Sequence, residues 1–150
     1  MNRIDTLFST RQKDILSIYF TAGYPSLNDT LRIIKELDRN KVDMIEIGIP
    51  FSDPIADGPV IQASSQKAIL NGMNVRLLFS QLENVREITD KPIILMGYLN
   101  PVLKFGMDEF LLKCSQTGVD GLILPDLPVE EYEEQYKTRF EKSGIRNIFF

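Results

Sequence analysis

The sequence predicts an α/β fold, the first five strands of a (β/α)8 TIM barrel, with residues 1–150 forming the N-terminal part of a single domain. Three observations carry this expectation. Five short apolar runs, at 15–20, 42–49, 92–98, 119–125 and 145–150, are rich in Ile, Leu, Val and aromatics without clean alternation. Strands of a parallel sheet buried on both faces read this way. Amphipathic segments separate the runs, and strict strand–helix alternation favours parallel pairing. The strand starts near 15, 42, 92, 119 and 146 are about 27, 50, 27 and 27 residues apart, and the shorter interval suits one βα unit. A doubly wound nucleotide binder would carry GxGxxG after its first strand, but this turn reads TAGYPS, and no GxxxxGK[ST] occurs. A complete barrel takes about 250 residues, so five strands in 150 residues read as its first five-eighths.

The elements follow in order. Residues 4–12 are expected to form a short leading helix that plugs one end of the sheet. After the first strand, Ser26 and Asp29 make an [ST]xx[DE] capping box, and Leu27, Leu31 and Ile34 follow at helical spacing. The long interval after the second strand holds the loop 49–58 and two helices. One starts near Pro59 and ends at Gly72; the other, Val75 to Glu87, is N-capped by Asn74. Met107 to Thr117 reads as a helix stopped by Gly118, and Val129, Tyr132, Tyr136 and Phe140 stripe a last helix stopped by Gly144. Val42-Asp43 and Val119-Asp120 open two strands in the same way, an echo that supports the register.

Composition narrows the chemistry. With 43% hydrophobic and 25% charged residues the chain is of ordinary globular type. The net charge is −4, from 17 basic and 21 acidic residues, and the basic ones are scattered, unlike a nucleic-acid or anionic-membrane surface. No apolar run approaches the ~20 residues of a membrane helix, and the start MNRIDTLFSTRQKD has no signal-peptide core. A single cysteine, Cys114, points to a reducing, cytoplasmic setting; its LLKCSQ context reads as buried filler. The chain has no histidine. That removes Ser-His-Asp and Cys-His catalysis and any His-ligated metal, so no metal site is expected. Acid–base work must come from carboxylates, tyrosine, lysine or the thiol.

The segment IEIGIPFSDPIADGP (45–59) is the most informative. Glu46 lies inside an apolar strand and shares its parity with Met44 and Gly48. In a barrel one parity faces the interior, where a carboxylate is costly to ionise unless partnered. Such a group suits a general acid or base, and Gly48 on the same side leaves space for a ligand. The alternative turns Glu46 outward, toward the helices, to pair with a lysine. Asp53 and Asp57 lie in the following loop, at the strand end where barrel sites form. Pro50, Pro54 and Pro59 stiffen that loop. Its aspartates could equally be caps of a solvated turn.

These residues carry a family resemblance. IEIGIPFSDPIADGPVIQ is similar to the signature of the tryptophan synthase α chain, and RIDTLF, YFTAGYP, MGYLNP and GVDGLILPDLP resemble that family in order and spacing along the whole chain. The resemblance implies retro-aldol cleavage of indole-3-glycerol phosphate to indole and glyceraldehyde 3-phosphate. It gives Glu46 the proton transfers and Asp57 the indole N–H. Tyr19, Met96, Tyr98 and Ile123 match the indole pocket, although core packing explains Met96 and Ile123 as well. Asp53, Pro54, Asn100 and Pro101 match the surface that meets a β chain. The implied assembly is αββα, with pyridoxal phosphate in the β chain and no cofactor in this one. Asp126 either starts a helix or lies at the end of strand four near the partner surface.

The family's mobile loop after strand six and its phosphate loops after strands seven and eight have no counterpart here. The phosphate site is therefore expected to be missing, and a sheet edge open after Phe150. Alternatives are a non-catalytic barrel fragment that keeps the partner-facing surface, or another phosphate-binding TIM-barrel enzyme. Among the latter, an epimerase would need histidines and an indole-glycerol-phosphate synthase an early strand lysine; neither is present.

Overall fold

A computed structural model describes residues 2–149. Five strands form one sheet in the order β1-β2-β3-β4-β5: β1 Ser17–Thr21, β2 Met44–Gly48, β3 Ile93–Met96, β4 Gly121–Ile123 and β5 Arg146–Ile148. Every adjacent pair is parallel, as the alternation predicts. Each strand is shorter than its apolar run, because the run's ends turn into and out of the sheet. Phe150, at the end of the fifth run, lies outside the described residues.

The sheet has two different faces. On one, Ile45, Ile47, Ile93, Leu95 and Leu122 are fully buried beneath the helices. Those helices are α2 Asp29–Arg39, α3 Pro59–Leu70, α4 Val75–Leu82, α5 Leu99–Phe105, α6 Met107–Thr117, α7 Val129–Glu131 and α8 Lys137–Ser143. The alternate residues Met44, Ile94, Met96, Ile123 and Ile148 form a smaller cluster on the concave face, the barrel interior. Helix α1, Arg3–Thr10, inserts Ile4 into this cluster and closes its N-terminal end. A Cβ on Gly121 would come within 2.8 Å of Ile4 Cδ1, so the plug needs glycine there. Arg3 pairs with Asp120 at 3.2 Å, and Arg146 with Asp5 at 2.5 Å, fastening α1 to β4 and β5.

The Val-Asp echo is a repeated structural device. Asp43 accepts the Leu16 N–H at 2.8 Å, and Asp120 accepts the Ile93 N–H at 3.0 Å. Each aspartate, just before its own strand, thus ties down the start of the strand before it. Arg11 clamps Asp43 at 2.7 Å, while Arg86 and Arg3 clamp Asp120.

Several helices depart from expectation. Asp29 does accept the Ser26 N–H at 3.1 Å, but the Ser26 side chain caps nothing and α2 begins at Asp29. Asn74 caps Leu77 N–H as expected, yet α4 ends at Leu82 and the stretch to Glu87 finishes as a 3₁₀ turn, Val85–Glu87. A π-helical turn, Tyr132–Tyr136, joins α7 to α8. Helix α5 has no counterpart in the expected order of elements. Pro101 sits in its first turn, where the missing N–H has no partner to lose. Gly106, at φ 99°, breaks the chain between α5 and α6.

Candidate active site at the C-terminal ends of the strands

Glu46 lies on the concave face, half-buried, between its register partners Tyr19 and Ile94. Ile45 and Ile47 on either side of it face the helices, so the outward orientation does not occur. No lysine or arginine pairs with it among the described residues. Its carboxylate accepts a hydrogen bond from Ser17 Oγ, at 2.5 Å from Oε1. Strands β1 and β2 thus place the one hydrogen-bond donor that meets the carboxylate among the described residues.

Gly48 has a different role from the one expected. A Cβ at Gly48 would overlap the Tyr19 hydroxyl, so the space above the glycine holds the Tyr19 phenol. Burial pushes the Tyr19 phenol above its ordinary range; the Thr21 hydroxyl opposes this, and the charges of Asp57 and Glu46 add to it. Tyr19 therefore lies in the field of both carboxylates.

The loop after β2 is built around Tyr98. The Tyr98 hydroxyl accepts the Ala56 N–H at 2.9 Å and donates to Asp57 Oδ2 at 3.2 Å. Burial raises this phenol too, and Asp57 and Asp126 raise it further. The Phe51 ring leans on Tyr98 with centroids 5.2 Å apart. From the other side, Gln62 on α3 donates to the Asp57 carbonyl at 2.8 Å, and the Asp57 N–H reaches the Pro54 carbonyl at 3.0 Å. These contacts hold the half-buried Asp57 carboxylate at the mouth of a small cavity. Tyr19, Met96 and Tyr98 line it, with Ile49, Phe51, Ser65, Gly97 and Pro125.

Not every expected residue meets there. Ile123 is buried lower, in the cluster with Ile4 and Ile94, and is not part of the cavity wall. Asp53 is exposed and accepts the Ser52 hydroxyl at 2.6 Å. Pro54 is half-buried in the same loop, and Ile55 beside it is 90% exposed. Asn100 and Pro101 open α5, whose first N–H, on Leu99, is received by Asp126 at 2.8 Å. Asp126 thus caps a helix other than the one it precedes. Cys114 is fully buried, which raises its thiol and makes it inert packing. Ser17, Phe51 and Gln62 were missed. The strand parity that placed Glu46 inside also places Ser17 there, and Gln62 closes the long motif itself.

Comparison with known proteins is decisive about lineage. The sequence profile described as Tryptophan synthase alpha chain matches residues 7–150. The chain belongs to the tryptophan synthase alpha chain family. Tryptophan synthase alpha chains from Flavobacterium psychrophilum and Flavobacterium johnsoniae are each 58% identical over 149 residues, which cover 99% of this chain and 58% of theirs. The crystal structure of tryptophan synthase subunit alpha from Legionella pneumophila superposes with a TM-score of 0.92 at 37% identity, over 98% of this chain and 57% of that one. Tryptophan synthase from M. tuberculosis in its aminoacrylate-bound form gives 0.90 at 31% identity, over 99% of this chain and 61% of that one. The chain therefore spans about three-fifths of the length of these tryptophan synthase alpha relatives, and its five strands are part of their TIM barrel. No helix among the described residues is long and apolar enough to cross a membrane.

Proposed function

We propose that this segment carries the acid–base half of a lyase that cleaves indole-3-glycerol phosphate into indole and glyceraldehyde 3-phosphate. The observation that carries the reading is that two carboxylates converge on the Tyr19 phenol: Glu46 is its register partner on β2, and Asp57 shares the cavity it lines. The reaction needs a proton on indole C3 and the loss of a proton from the side-chain hydroxyl. Glu46 gives the first proton and, as a carboxylate, takes the second. As the hydroxyl oxygen becomes a carbonyl, the C–C bond breaks and its electron pair returns to the ring. Protonation at C3 puts positive charge on the ring nitrogen, where the fixed Asp57 carboxylate accepts the N–H and stabilises that charge. Tyr98 and Gln62 supply preorganisation by holding Asp57 before substrate arrives. Tyr19, Met96 and Tyr98 wall the indole end, with Ile123 beneath them.

The phosphate end would be held by barrel loops that follow strands seven and eight in the family, outside the matched portion. No metal or organic cofactor has a role in these steps. Asp53, Pro54, Asn100 and Pro101 would face a β chain carrying pyridoxal phosphate, in an αββα tetramer within the cytoplasm. The nearly full exposure of apolar Ile55, in a loop otherwise pinned from both sides, supports such a contact. The test is indole release from indole-3-glycerol phosphate by a family-length chain containing this segment. Glu46→Gln is expected to abolish release without changing the circular dichroism spectrum. Retained turnover would refute the assignment and leave the reading of a non-catalytic, partner-facing piece.

A further inference from the structure

We propose that Ser17 is a positioning residue for Glu46, an inference that rests on the function proposed above and deepens it. Ser17 opens β1 on the concave face, two residues before Tyr19, and its register partner is Met44. Its hydroxyl therefore reaches Glu46 diagonally, from the N-terminal side of the carboxylate, with Oγ 2.5 Å from Oε1. Apart from its other register partner, Tyr19, the surroundings on that face are apolar: Ile94 stands opposite on β3, with Met44 before Glu46 on β2 and Met96 beyond it on β3. Among the described residues no other group hydrogen-bonds the Glu46 carboxylate.

One hydroxyl engages one carboxylate oxygen, so Oε2 stays free for substrate while Oε1 is anchored. A free glutamate has three side-chain torsions to search, and the anchor removes much of that freedom before substrate binds. The type of anchor matters as well. A serine hydroxyl is a donor with two acceptor lone pairs. It can donate to the carboxylate and accept from the carboxylic acid, so it stays partnered as Glu46 alternates between the two states. A lysine or arginine would hold Glu46 in its charged form and oppose the protonation of indole C3. The structure has placed a neutral, reversible partner where the chemistry needs both protonation states.

The experiment uses family-length chains and steady-state indole release. Ser17→Ala should lower kcat about tenfold, or about 1.4 kcal/mol on the barrier, while KM for indole-3-glycerol phosphate stays within about twofold, because an orienting group acts on the chemical step. Ser17→Thr keeps the hydroxyl and should recover most of kcat. The thermal midpoint of each variant, measured alongside, separates loss of fold from loss of positioning. A Ser17→Ala enzyme with kcat within about twofold of the parent, or a Ser17→Thr enzyme as impaired as Ser17→Ala, overturns the proposal. If Glu46→Gln is inactive and Ser17→Ala is not, only the role of Ser17 falls. If Glu46→Gln releases indole like the parent, the functional reading falls and takes this role with it.

Discussion

Two aspartates of one loop, four residues apart in the sequence, are treated oppositely by the structure. Asp57 is held inward by Tyr98, whereas Asp53 is exposed and its carboxylate accepts from its neighbour Ser52. Only a carboxylate beside the indole nitrogen feels the charge that develops in the transition state, so its loss should appear in kcat. Asp57→Ala is expected to cost about 10²–10³ in kcat on a family-length chain, the usual effect of removing one preorganised electrostatic partner. Asp53→Ala should leave the isolated chain within about threefold and act chiefly on stimulation by the β chain. Steady-state assays with and without β chain separate the two, and equal damage to the isolated chain would sink the division. Tyr98→Phe tests the clip itself. It removes both the Ala56 and the Asp57 contacts, and a loss of about tenfold in kcat with little change in melting temperature is expected. At this scale the acids were legible because a charged residue in an apolar strand, or in a proline-stiffened loop, stands out. Ser17 and Gly48 were not, since a short polar residue and a glycine have roles only relative to a neighbouring strand. The Tyr19 phenol fills the space above Gly48, and a one-dimensional pattern does not say which side chain crosses over.

The strands were easier to read than the ends of the helices. Parallel strands announce themselves by apolar runs, and the Val-Asp pairs mark where two of them start. Helix α5 hid behind Pro101, and its cap comes from Asp126, 27 residues away; no local pattern contains that contact. The repeated aspartates give predictions for stability. Asp120 is buried and pairs with two arginines, the half-buried Arg86 and the more exposed Arg3, and Asp120→Ala would leave Arg86 facing backbone carbonyls without its carboxylate. A loss of about 3–5 kcal/mol is expected in urea denaturation, as for breaking a buried pair. Asp43→Ala should cost less, because Arg11 is largely open to water. The Leu16 N–H first, and then Arg11, hold the Asp43 carboxyl below its usual range. A depressed carboxylate contributes its full stabilisation above its unfolded value, about pH 3.9, and loses it as pH falls through the lower folded value. The stability gap between the parent and Asp43→Ala should therefore be widest near neutrality and shrink below about pH 4. A gap that stays constant down to pH 3 would show that the charge of Asp43 is not what stabilises.

For the molecule as a whole, the sheet has one well-covered face and one that is only partly closed. The helix side buries a continuous core, but the concave side has Ile4, Ile94 and Ile123 at its centre and half-buried Met44, Met96 and Ile148 around them. Among the described strands, β1 pairs only with β2 and β5 only with β4, so each has an unpaired edge. Such edges, next to apolar surface, are templates for pairing with another chain. The family's remaining strands would close both the edges and the face. Residues 1–150 expressed alone should therefore associate by size-exclusion chromatography, and release no indole. Mixing them with a separate piece supplying the rest of the family length should give a one-to-one complex and restore release, because the covering surface is recovered without a peptide link. Loss of association on mixing, together with new activity, would place the closure of the concave face at the origin of both. A monomeric segment that stays inactive in the mixture would mean that α1 and the half-buried methionines already satisfy this face, and that closure needs a continuous chain.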